Sequence, residues 1–355
     1  MKDYNKFSSV IDEMKLKPNT WLITGAAGFI GSNLVEFLLT NNQFVIGIDN
    51  FSTGHQSNLD DVKNNIDEEH WMNFIFIDGD IRDMQACEQA YNSSSHFHSD
   101  PIDFVLHQAA IGSVPRSIED PIFSHSNNIS GFLNVLFCAK ERGVKKFVYA
   151  TSSSVYGDEP SLPKVEKKIG NLLSPYALTK LTNELYAKVF TLNYDLQTVG
   201  LRYFNVFGPR QDPNGAYAAV IPKWINRFIL NKTVEIYGDG KTTRDFCYIE
   251  NVIQANILAA KSTIKANESQ VFNIAVGSQI NLMDLALLIK QNLTEHNISS
   301  NFQIENAKFR KGDIRHSLAD ISNARKFLSY KPSHTVEMGL KKSMAWYLYS
   351  ANEKD

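Results

Sequence analysis

Cysteine is scarce in this chain, the net charge is small, and no long apolar run is present. The 355 residues include three cysteines, Cys87, Cys138 and Cys247, without the number or spacing of a disulfide framework or a metal site. We therefore expect reduced thiols, a cytoplasmic location and no metal ion. The 36 basic and 38 acidic residues give a net charge of -2, so we expect no basic surface for nucleic acid.

Signals for export and membrane insertion are also missing. The first residues, MKDYNKFSSVIDEMK, lack the apolar core of a signal peptide. No apolar run approaches the roughly 20 residues of a membrane helix, so we expect no membrane partner. We interpret residues 1–19 as an N-terminal extension. The hydrophobic content of 43% and the chain length are those of a globular protein with room for two lobes.

Short apolar strands alternate with helical patterns through the first 200 residues. The strand-like runs are 21–24, 44–48, 74–77, 103–107, 146–150 and 198–204. The helical patterns are 28–40, 82–91, 119–142 and 174–193. Nearly unbroken apolarity suits strands that are buried on both faces. The alternation predicts an α/β fold with a doubly wound parallel sheet of the Rossmann type, and the serine-rich run 92–100 is predicted as an exposed loop.

Prolines and glycines interrupt this rhythm after about residue 205. The patterns that follow predict four helices, at 217–230, 248–262, 281–293 and 335–349. Two strand-like pieces are 233–237 and 271–274. We interpret residues 20–204 as the first domain and 205–355 as a smaller substrate-binding lobe, with 245–275 as a candidate segment for a return to the first domain.

Three glycines separate the first strand from the first helix in WLITGAAGFIGSNL, residues 21–34. A tight turn into a helix presents free backbone N–H groups and the positive end of the helix dipole, which suit a pyrophosphate. Gly25 would permit the turn, Gly28 the approach of phosphate and Gly31 the close packing of the helix. Phe29 and Ile30 belong to the same predicted site. The spacing differs from G-x-G-x-x-G, so a plain strand–turn–helix is the alternative.

Residues after the next strands support a dinucleotide site. Asp49 ends the second strand 18 residues after Gly31, where a carboxylate accepts hydrogen bonds from ribose hydroxyls. The following NFSTG contains no arginine for a 2′-phosphate, which favours NAD over NADP. After the third strand, Asp80 and Ile81 could frame the adenine, and after the fourth, Ala109 and Ala110 leave room for the dinucleotide. Asn50, next to Asp49, completes the predicted set.

A tyrosine and a lysine four residues apart are the catalytic candidates. Tyr176 and Lys180 lie on one face of the predicted helix 174–193. An ammonium beside a phenol favours the phenolate, so we expect the tyrosine pKa to fall from about 10 toward neutrality. A second Y-x-x-x-K contains two glycines that disfavour a helix, and we set it aside. In TSSSVYG, Ser152 follows the fifth strand and could hydrogen-bond the reacting oxygen, unless it only satisfies a turn.

Together these motifs resemble the extended short-chain dehydrogenase/reductases, and more narrowly the UDP-hexose 4-epimerases. The resemblance runs from about residue 20 to 350 and is specific in LRYFNVFGPRQDPNGAYAAVIPKW, YGDGKTTRDFCYI and FRKGDIRHSLAD. The chain is most similar to bacterial UDP-N-acetylglucosamine 4-epimerases of surface-polysaccharide pathways. The resemblance implies an NAD-binding domain at 20–204, a UDP-sugar-binding domain at 205–355 and a homodimer that forms through helices 119–142 and 174–193.

The resemblance also implies a role for each matching residue. Ser152 lies beside the sugar O4, Tyr176 is the base, and Lys180 is its partner and contacts the nicotinamide ribose. Tyr203 lies near the nicotinamide. The implied substrate contacts include the phosphate-binding Asn205 and the uridine-ribose carboxylate Asp313, and the full set is Ser152, Ser153, Ser154, Asn205, Val220, Lys223, Trp224, Tyr237, Arg244, Arg310, Asp313 and Ser317. Arginines suit a pyrophosphate because their planar forks match its oxygens.

The implied reaction inverts carbon 4 by oxidation and reduction, because the proton on that carbon is not acidic. Tyr176 takes the O4 proton as hydride passes to NAD, and hydride returns to the opposite face of the 4-keto sugar. Related dehydratases carry Asp-Glu where Ser153 and Ser154 stand, and related decarboxylases carry a glutamate there. A non-catalytic NAD-binding protein is a further alternative, against which Tyr176 and Lys180 argue.

The substrate depends on one small residue. Epimerases restricted to hexoses without an acetyl group resemble one another in carrying tyrosine where this chain has Ser317. The smaller serine predicts a pocket that admits the 2-acetamido group of UDP-GlcNAc and UDP-GalNAc. The corresponding uronic acids, UDP-GlcNAcA and UDP-GalNAcA, and the pair UDP-glucose and UDP-galactose remain open, and Ser317 as a plain loop serine is the alternative.

Overall fold

The computed structural model describes residues 6–97, 102–214, 218–264, 270–298, 303–308 and 315–352. Its strands are β1 Thr20–Thr24, β2 Phe44–Asp49, β3 Phe74–Asp78, β4 Phe104–His107, β5 Lys146–Ser152, β6 Thr198–Tyr203, β7 Val206–Phe207, β8 Val234–Tyr237, β9 Thr243–Arg244, β10 Cys247–Tyr248, β11 Val271–Ile274, β12 Ile280–Asn281 and β13 Ile304–Ala307. Its α-helices are α1 Lys6–Leu16, α2 Phe29–Thr40, α3 Gln56–Asn65, α4 Glu68–Trp71, α5 Met84–Asn92, α6 Val114–Glu119, α7 Pro121–His125, α8 Phe132–Glu141, α9 Pro175–Tyr194, α10 Val220–Ile229, α11 Ile249–Ala260, α12 Leu282–Glu295, α13 Ser322–Leu328 and α14 Val336–Asn352.

Seven strands form one parallel sheet in the order β11-β6-β5-β4-β1-β2-β3. The predicted doubly wound α/β fold is confirmed. The chain order reverses between β1 and β4, so a crevice opens beyond the carboxyl ends of these strands. Ligands bind at such a switch point in open α/β sheets.

Helices cover both faces of the sheet because its strands are apolar on both sides. On β1, Trp21 and Ile23 belong to one buried cluster and Leu22 belongs to the other. Helices α2 and α11 pack on the first face, and α5, α8 and α9 pack on the second. The N-terminal helix α1 packs on α11 and buries Val10 and Met14.

The residues after β6 form a second lobe, but two of its elements return to the main sheet. Helices α10, α12 and α14 pack together with the two-stranded sheet β13–β8. Strand β11 instead pairs with β6 in parallel, Val271 opposite Gly200, and α11 packs on β5 and β6. The chain therefore crosses between the lobes more than once.

The helical pattern 119–142 is confirmed for residues 121–141, which the structure divides into α7, a π-helical turn and α8. Asp120 accepts a hydrogen bond from the backbone N–H of Phe123 and so starts α7. A π-helical turn, residues 126–131, then precedes α8. Within this turn the amide of Asn128 hydrogen-bonds both backbone groups of Ile111, which draws the turn toward the end of β4.

The predicted exposed loop at 92–100 is wrong in its first half. Residues 93–97 form a 3₁₀ turn in which Ser93 and Ser94 are buried. Their hydroxyls donate to the carbonyls of Gln89 and Tyr91, so the serines satisfy the end of α5 rather than face solvent. Residues 98–100 lie outside the described residues. So does residue 217, at the start of the predicted helix 217–230, and α10 begins at Val220.

Candidate functional site

The turn between β1 and α2 requires glycine at two of its three glycine positions. Gly25 has a φ of 71°, and a Cβ there would lie 2.8 Å from the backbone nitrogen of Ala109. A Cβ on Gly31 would lie 1.9 Å from the carbonyl oxygen of Gly25. Gly28 precedes the helix as its N-cap and has no side chain to compete for the first N–H groups. The turn leaves that helix end open to a ligand.

A cavity of 450 Å³ opens above this turn, across the carboxyl ends of β1 to β4. It contains ten residues that the sequence assigns to the cofactor: Gly25, Gly28, Phe29, Ile30, Asp49, Asn50, Asp80, Ile81, Ala109 and Ala110. The helix N-terminus supplies donors for a pyrophosphate, and the carboxylate at the end of β2 supplies acceptors for ribose. The donor set and the glycine cradle therefore fit a dinucleotide.

Backbone N–H groups hold Asp49 in place. Its two carboxylate oxygens accept hydrogen bonds from Ala27, at 3.0 Å, and Phe51, at 2.8 Å. Burial raises the pKa of Asp49, and these N–H groups act in the opposite direction. Each carboxylate oxygen can accept a second hydrogen bond, so ribose hydroxyls still have acceptors.

Asp80 is held from two sides. The guanidinium of Arg82 lies 2.6 Å from its carboxylate, and the amide of Asn50 donates to it at 2.9 Å. The hydrogen bonds from Arg82 are the main reason that the pKa of Asp80 is lowered. The carboxylate is therefore charged and held in one position in the cavity. The sequence predicts that the adenine binds at this position.

A second cavity, of 250 Å³, brings the catalytic candidates together. Ser152 ends β5, and Tyr176 and Lys180 lie in the first turns of α9. The hydroxyl of Ser174 accepts the N–H of Ala177 and starts that helix. The side chains of Ser152 and Tyr176 line the same cavity, and the hydroxyl of Ser152 acts to lower the pKa of Tyr176.

The pKa of Tyr176 differs in direction from the sequence expectation. Burial raises it, and the nearby hydroxyl of Ser152 only opposes that rise. The ammonium of Lys180 is hydrogen-bonded to the carbonyl of Ala150 at 2.9 Å and lies 6.0 Å from the centre of the phenol ring. Lys180 is itself buried, which lowers its pKa to about 8, and Glu184 opposes that fall.

A buried ion pair underlies the lysine and was not predicted from the sequence. Glu184 receives two hydrogen bonds from the guanidinium of Arg202, at 2.9 and 2.7 Å, and one from Thr151 at 2.7 Å. Glu184 lies four residues after Lys180 on α9, a spacing that could have indicated its proximity. The carboxylate thus joins the catalytic helix to β5 and β6.

A third cavity, of 270 Å³, lies in the second lobe and shares Asn205 and Val206 with the catalytic one. It contains six residues that the sequence assigns to the substrate: Asn205, Val220, Lys223, Trp224, Tyr237 and Arg244. Asn205 also lines the catalytic cavity, and its amide donates to the carbonyl of Asp245 at 3.1 Å. The two cavities are therefore adjacent, and Ser152 lines the catalytic one.

The remaining predicted substrate residues occupy other places. Ser153 and Ser154 form a 3₁₀ turn after β5, in which the N–H of Ser154 donates to the hydroxyl of Ser152 at 3.1 Å. Neither lines the three cavities. Ser317 also lies outside these linings, and its N–H donates to the carbonyl of Thr243 at 3.2 Å, next to Arg244. Arg310 and Asp313 lie outside the described residues.

Three polar residues at the site escaped the sequence analysis. Gln108 lines both the dinucleotide and the catalytic cavity, and Asn256 is hydrogen-bonded to it from α11. Asp245 accepts backbone N–H groups from residues 276, 277 and 319, and burial raises its pKa to about 7. Only folding brings these distant positions together.

In the described ranges no helix is long and apolar enough to cross a membrane.

The parallel sheet, the glycine turn and the Ser–Tyr–Lys set define an extended short-chain dehydrogenase/reductase. Residues 21–275 match the family model described as the NAD dependent epimerase/dehydratase family. The chain belongs to that family, and NAD is its cofactor.

Similar proteins include several epimerases. A putative UDP-glucose 4-epimerase of Methanocaldococcus jannaschii is 33% identical over 92% of this chain and 97% of its own. A UDP-N-acetylglucosamine 4-epimerase of Methanobrevibacter ruminantium, solved with UDP-N-acetylmuramic acid, is 37% identical, with a TM-score of 0.83 over 94% of this chain and 99% of that one. A UDP-glucuronic acid 4-epimerase of Bacillus cereus, solved with UDP-glucuronic acid and NAD, is 30% identical, with a TM-score of 0.80 over 93% and 99%.

Proposed function

We propose that this chain is a UDP-sugar 4-epimerase, an isomerase, whose substrates are UDP-N-acetylglucosamine and UDP-N-acetylgalactosamine. The observation that carries the proposal is the position of Ser152, Tyr176 and Lys180. They lie between the dinucleotide cavity and the cavity of the second lobe, and Asn205 lines both the catalytic and the second-lobe cavity. A sugar whose nucleotide occupies the second lobe thus reaches the catalytic side chains. The setting that the proposal implies is cytoplasmic supply of a surface-polysaccharide precursor.

The catalytic side chains move one proton in each direction. NAD supplies the chemistry of hydride removal and return at carbon 4 of the sugar. For this step Tyr176 must be ionised against the rise in its pKa that burial causes. In that form it accepts the proton of the O4 hydroxyl, and it gives the proton back when the 4-keto group is reduced. The ammonium of Lys180 stabilises the phenolate. The hydroxyl of Ser152 hydrogen-bonds the sugar O4. Because both directions use the same groups, one site serves both epimers.

Binding is concentrated on the nucleotide, which leaves the sugar free to turn. We assign the UDP moiety to the second-lobe cavity, with Arg244 toward the pyrophosphate and Trp224 and Tyr237 toward the uridine. Several residues that line the catalytic cavity have small side chains or none, including Ala110, Gly112 and Ala150. A loosely held 4-keto sugar can present either face there.

The catalytic cavity lacks groups that the rival reactions need. Its described lining contains neither aspartate nor glutamate, whereas dehydration requires an added acid and base near the sugar. Ser153 and Ser154 stand where the related dehydratases carry carboxylates. A 4-epimerase therefore fits this lining better than a dehydratase.

A neutral acetamido sugar is the substrate that we favour. Among the described residues that line the catalytic cavity, the one charged side chain is Lys180, which is hydrogen-bonded to Ala150. This lining supports a hexose over a uronic acid. Ser317 lies beside Arg244 through its bond to Thr243 but lines none of the three cavities, so the role of its small size in admitting an acetamido group rests on the resemblance. UDP-glucose and the uronic acids are the competing substrates.

We also propose a homodimer through α9. Four apolar side chains on this helix are about half exposed or more: Leu178, Leu185, Val189 and Leu192. Ile122 and Phe137 are exposed on α7 and α8, and α9 contacts both of these helices. A second copy of the chain that contributes the same helices would bury this apolar surface.

Product analysis tests the substrate proposal. UDP-GlcNAc, UDP-GlcNAcA and UDP-glucose, each deuterated at carbon 4, are incubated in parallel with the purified protein without added NAD. We expect the largest kcat/KM for UDP-GlcNAc and full retention of deuterium at carbon 4 of the product. A preference for another UDP-sugar would refute the substrate, and loss of deuterium to solvent would refute the mechanism.

A further inference from the structure

A closed ring of hydrogen bonds joins three side chains behind the catalytic cavity. The hydroxyl of Tyr203 lies 3.2 Å from the carbonyl oxygen of the Gln108 amide. The amide nitrogen of Gln108 donates to the side-chain oxygen of Asn256 at 3.1 Å. The amide nitrogen of Asn256 donates to the Tyr203 hydroxyl at 2.8 Å and closes the ring.

One backbone carbonyl fixes the orientation of the Asn256 amide in this ring. The same amide nitrogen of Asn256 donates to the carbonyl of Val252 at 2.8 Å. A carbonyl only accepts, so this bond determines which end of the Asn256 amide carries the nitrogen. The Tyr203 hydroxyl therefore accepts from Asn256. Its own proton has two acceptors at 3.2 Å, the amide oxygen of Gln108 and the side-chain oxygen of Asn256. Both N–H groups of Asn256 are used, and its oxygen accepts the proton of Gln108.

Only two of the three side chains line the cavity. Gln108 and Tyr203 lie in the lining, together with Tyr176 and Lys180. Asn256 is fully buried behind them on α11. The helix that follows the second-lobe strands thus sets the orientation of two groups at the ends of β4 and β6.

We propose that Asn256 is a positioning residue for the reaction, because it holds the phenol of Tyr203 and the amide of Gln108 in one orientation in the wall of the catalytic cavity. The fixed wall keeps the nicotinamide end of NAD and the sugar in register with Tyr176. The kinetic part of this inference rests on the proposed epimerase function. The expected effect on the retention of NAD depends only on NAD being the cofactor.

The test compares two buried asparagines on the same helix. Asn256→Leu removes the ring, whereas the control Asn251→Leu removes bonds to residues 333 and 334, away from all three cavities. Exchange of bound NAD for isotope-labelled NAD is measured on each holoprotein, with kcat and KM for UDP-GlcNAc. We expect Asn256→Leu to exchange NAD about tenfold faster or more and to lose roughly tenfold to a hundredfold in kcat at nearly constant KM, as for a misplaced site group. Asn251→Leu keeps the wild-type exchange rate and kcat.

A double-mutant cycle with Tyr203→Phe separates positioning from general damage, and Tyr203→Phe alone serves if Asn256→Leu does not fold. Two members of one network lose less together than the sum of their separate losses. Additive effects on NAD exchange, equal exchange in Asn256→Leu and Asn251→Leu, or wild-type exchange in Tyr203→Phe would each overturn the proposal. A wild-type protein that turns over no UDP-sugar would refute the proposed function, and the NAD exchange comparison would still decide the role of Asn256.

Discussion

The ammonium of Lys180 is hydrogen-bonded to the backbone carbonyl of Ala150 at 2.9 Å. This bond ties the catalytic helix α9 to the end of β5, and it holds the positive charge 6.0 Å from the centre of the Tyr176 ring. The lysine therefore acts on the phenol through its charge, at a distance that the strand fixes. The ionisation of the Tyr176 phenol therefore depends on whether Lys180 is charged, and the carboxylate of Glu184 favours the charged lysine.

Activity should fall as the pH rises through about 8, because burial lowers the pKa of Lys180 to that value. A lysine is charged below its pKa, so the ammonium is present at lower pH and is lost above it. Since Glu184 raises this pKa, Glu184→Gln should move the alkaline limb of the kcat/KM profile to lower pH. The surface variant Glu250→Gln is the control and should leave the limb in place. An unmoved limb in Glu184→Gln would contradict this electrostatic role.

Tyr176→Phe should reduce kcat by about 10²- to 10⁴-fold, the range for loss of a positioned acid–base group. The ring remains, so the protein should fold and retain NAD. Tyr186→Phe, on the same helix outside the three cavities, should keep wild-type activity. Turnover is measured by separating the epimers after fixed times. A Tyr176→Phe protein with near wild-type kcat would exclude the phenol as the base.

Ser317→Tyr should abolish turnover of UDP-GlcNAc and spare UDP-glucose, because the added ring would take the volume of the acetamido group. Ser317→Ala is the matched control and should keep both activities. The two sugars are compared by kcat/KM, since specificity is a difference in transition-state binding. Acetamido activity that survives the tyrosine would show that Ser317 does not set the substrate.

Leu185→Glu should convert the proposed dimer to a monomer, because a charge would enter the buried centre of the interface. The control is Leu287→Glu on α12. Leu287 is 52% exposed and Leu185 is 58% exposed, so both changes start from similar exposure. Molar mass from light scattering during gel filtration distinguishes the two states. A monomeric wild-type protein, or a dimer that tolerates Leu185→Glu, would refute this interface.

The sequence predicted those features that depend on local spacing. The glycine turn, the alternation of strands and helices, and the shared face of Tyr176 and Lys180 all follow from positions a few residues apart. The π-helical turn within the predicted helix 119–142 did not follow, because it depends on the hydrogen bonds of Asn128 to the distant Ile111. A helical pattern does not record such a bond.

The predicted fall in the pKa of Tyr176 was wrong because burial raises this pKa. The spacing of Tyr176 and Lys180 indicated a lowered tyrosine pKa, but spacing does not state how far each group is removed from water. The same limit applies to contacts across the fold. Gln108 and Asn256 are 148 residues apart in the chain, and their ring with Tyr203 exists only once α11 has returned to the sheet.

That return has a consequence for how the chain can be divided. Strand β11 covers the outer edge of β6, and α11 covers one face of the sheet beside it. A polypeptide ending at residue 204 would expose the unpaired N–H and C=O groups of β6 as a template for aggregation. A chimeric protein that takes its sugar-binding lobe from a relative would therefore fold only if the segment from α11 to β11 stayed with its own sheet. The cofactor-binding domain is thus encoded by two separate stretches of the gene.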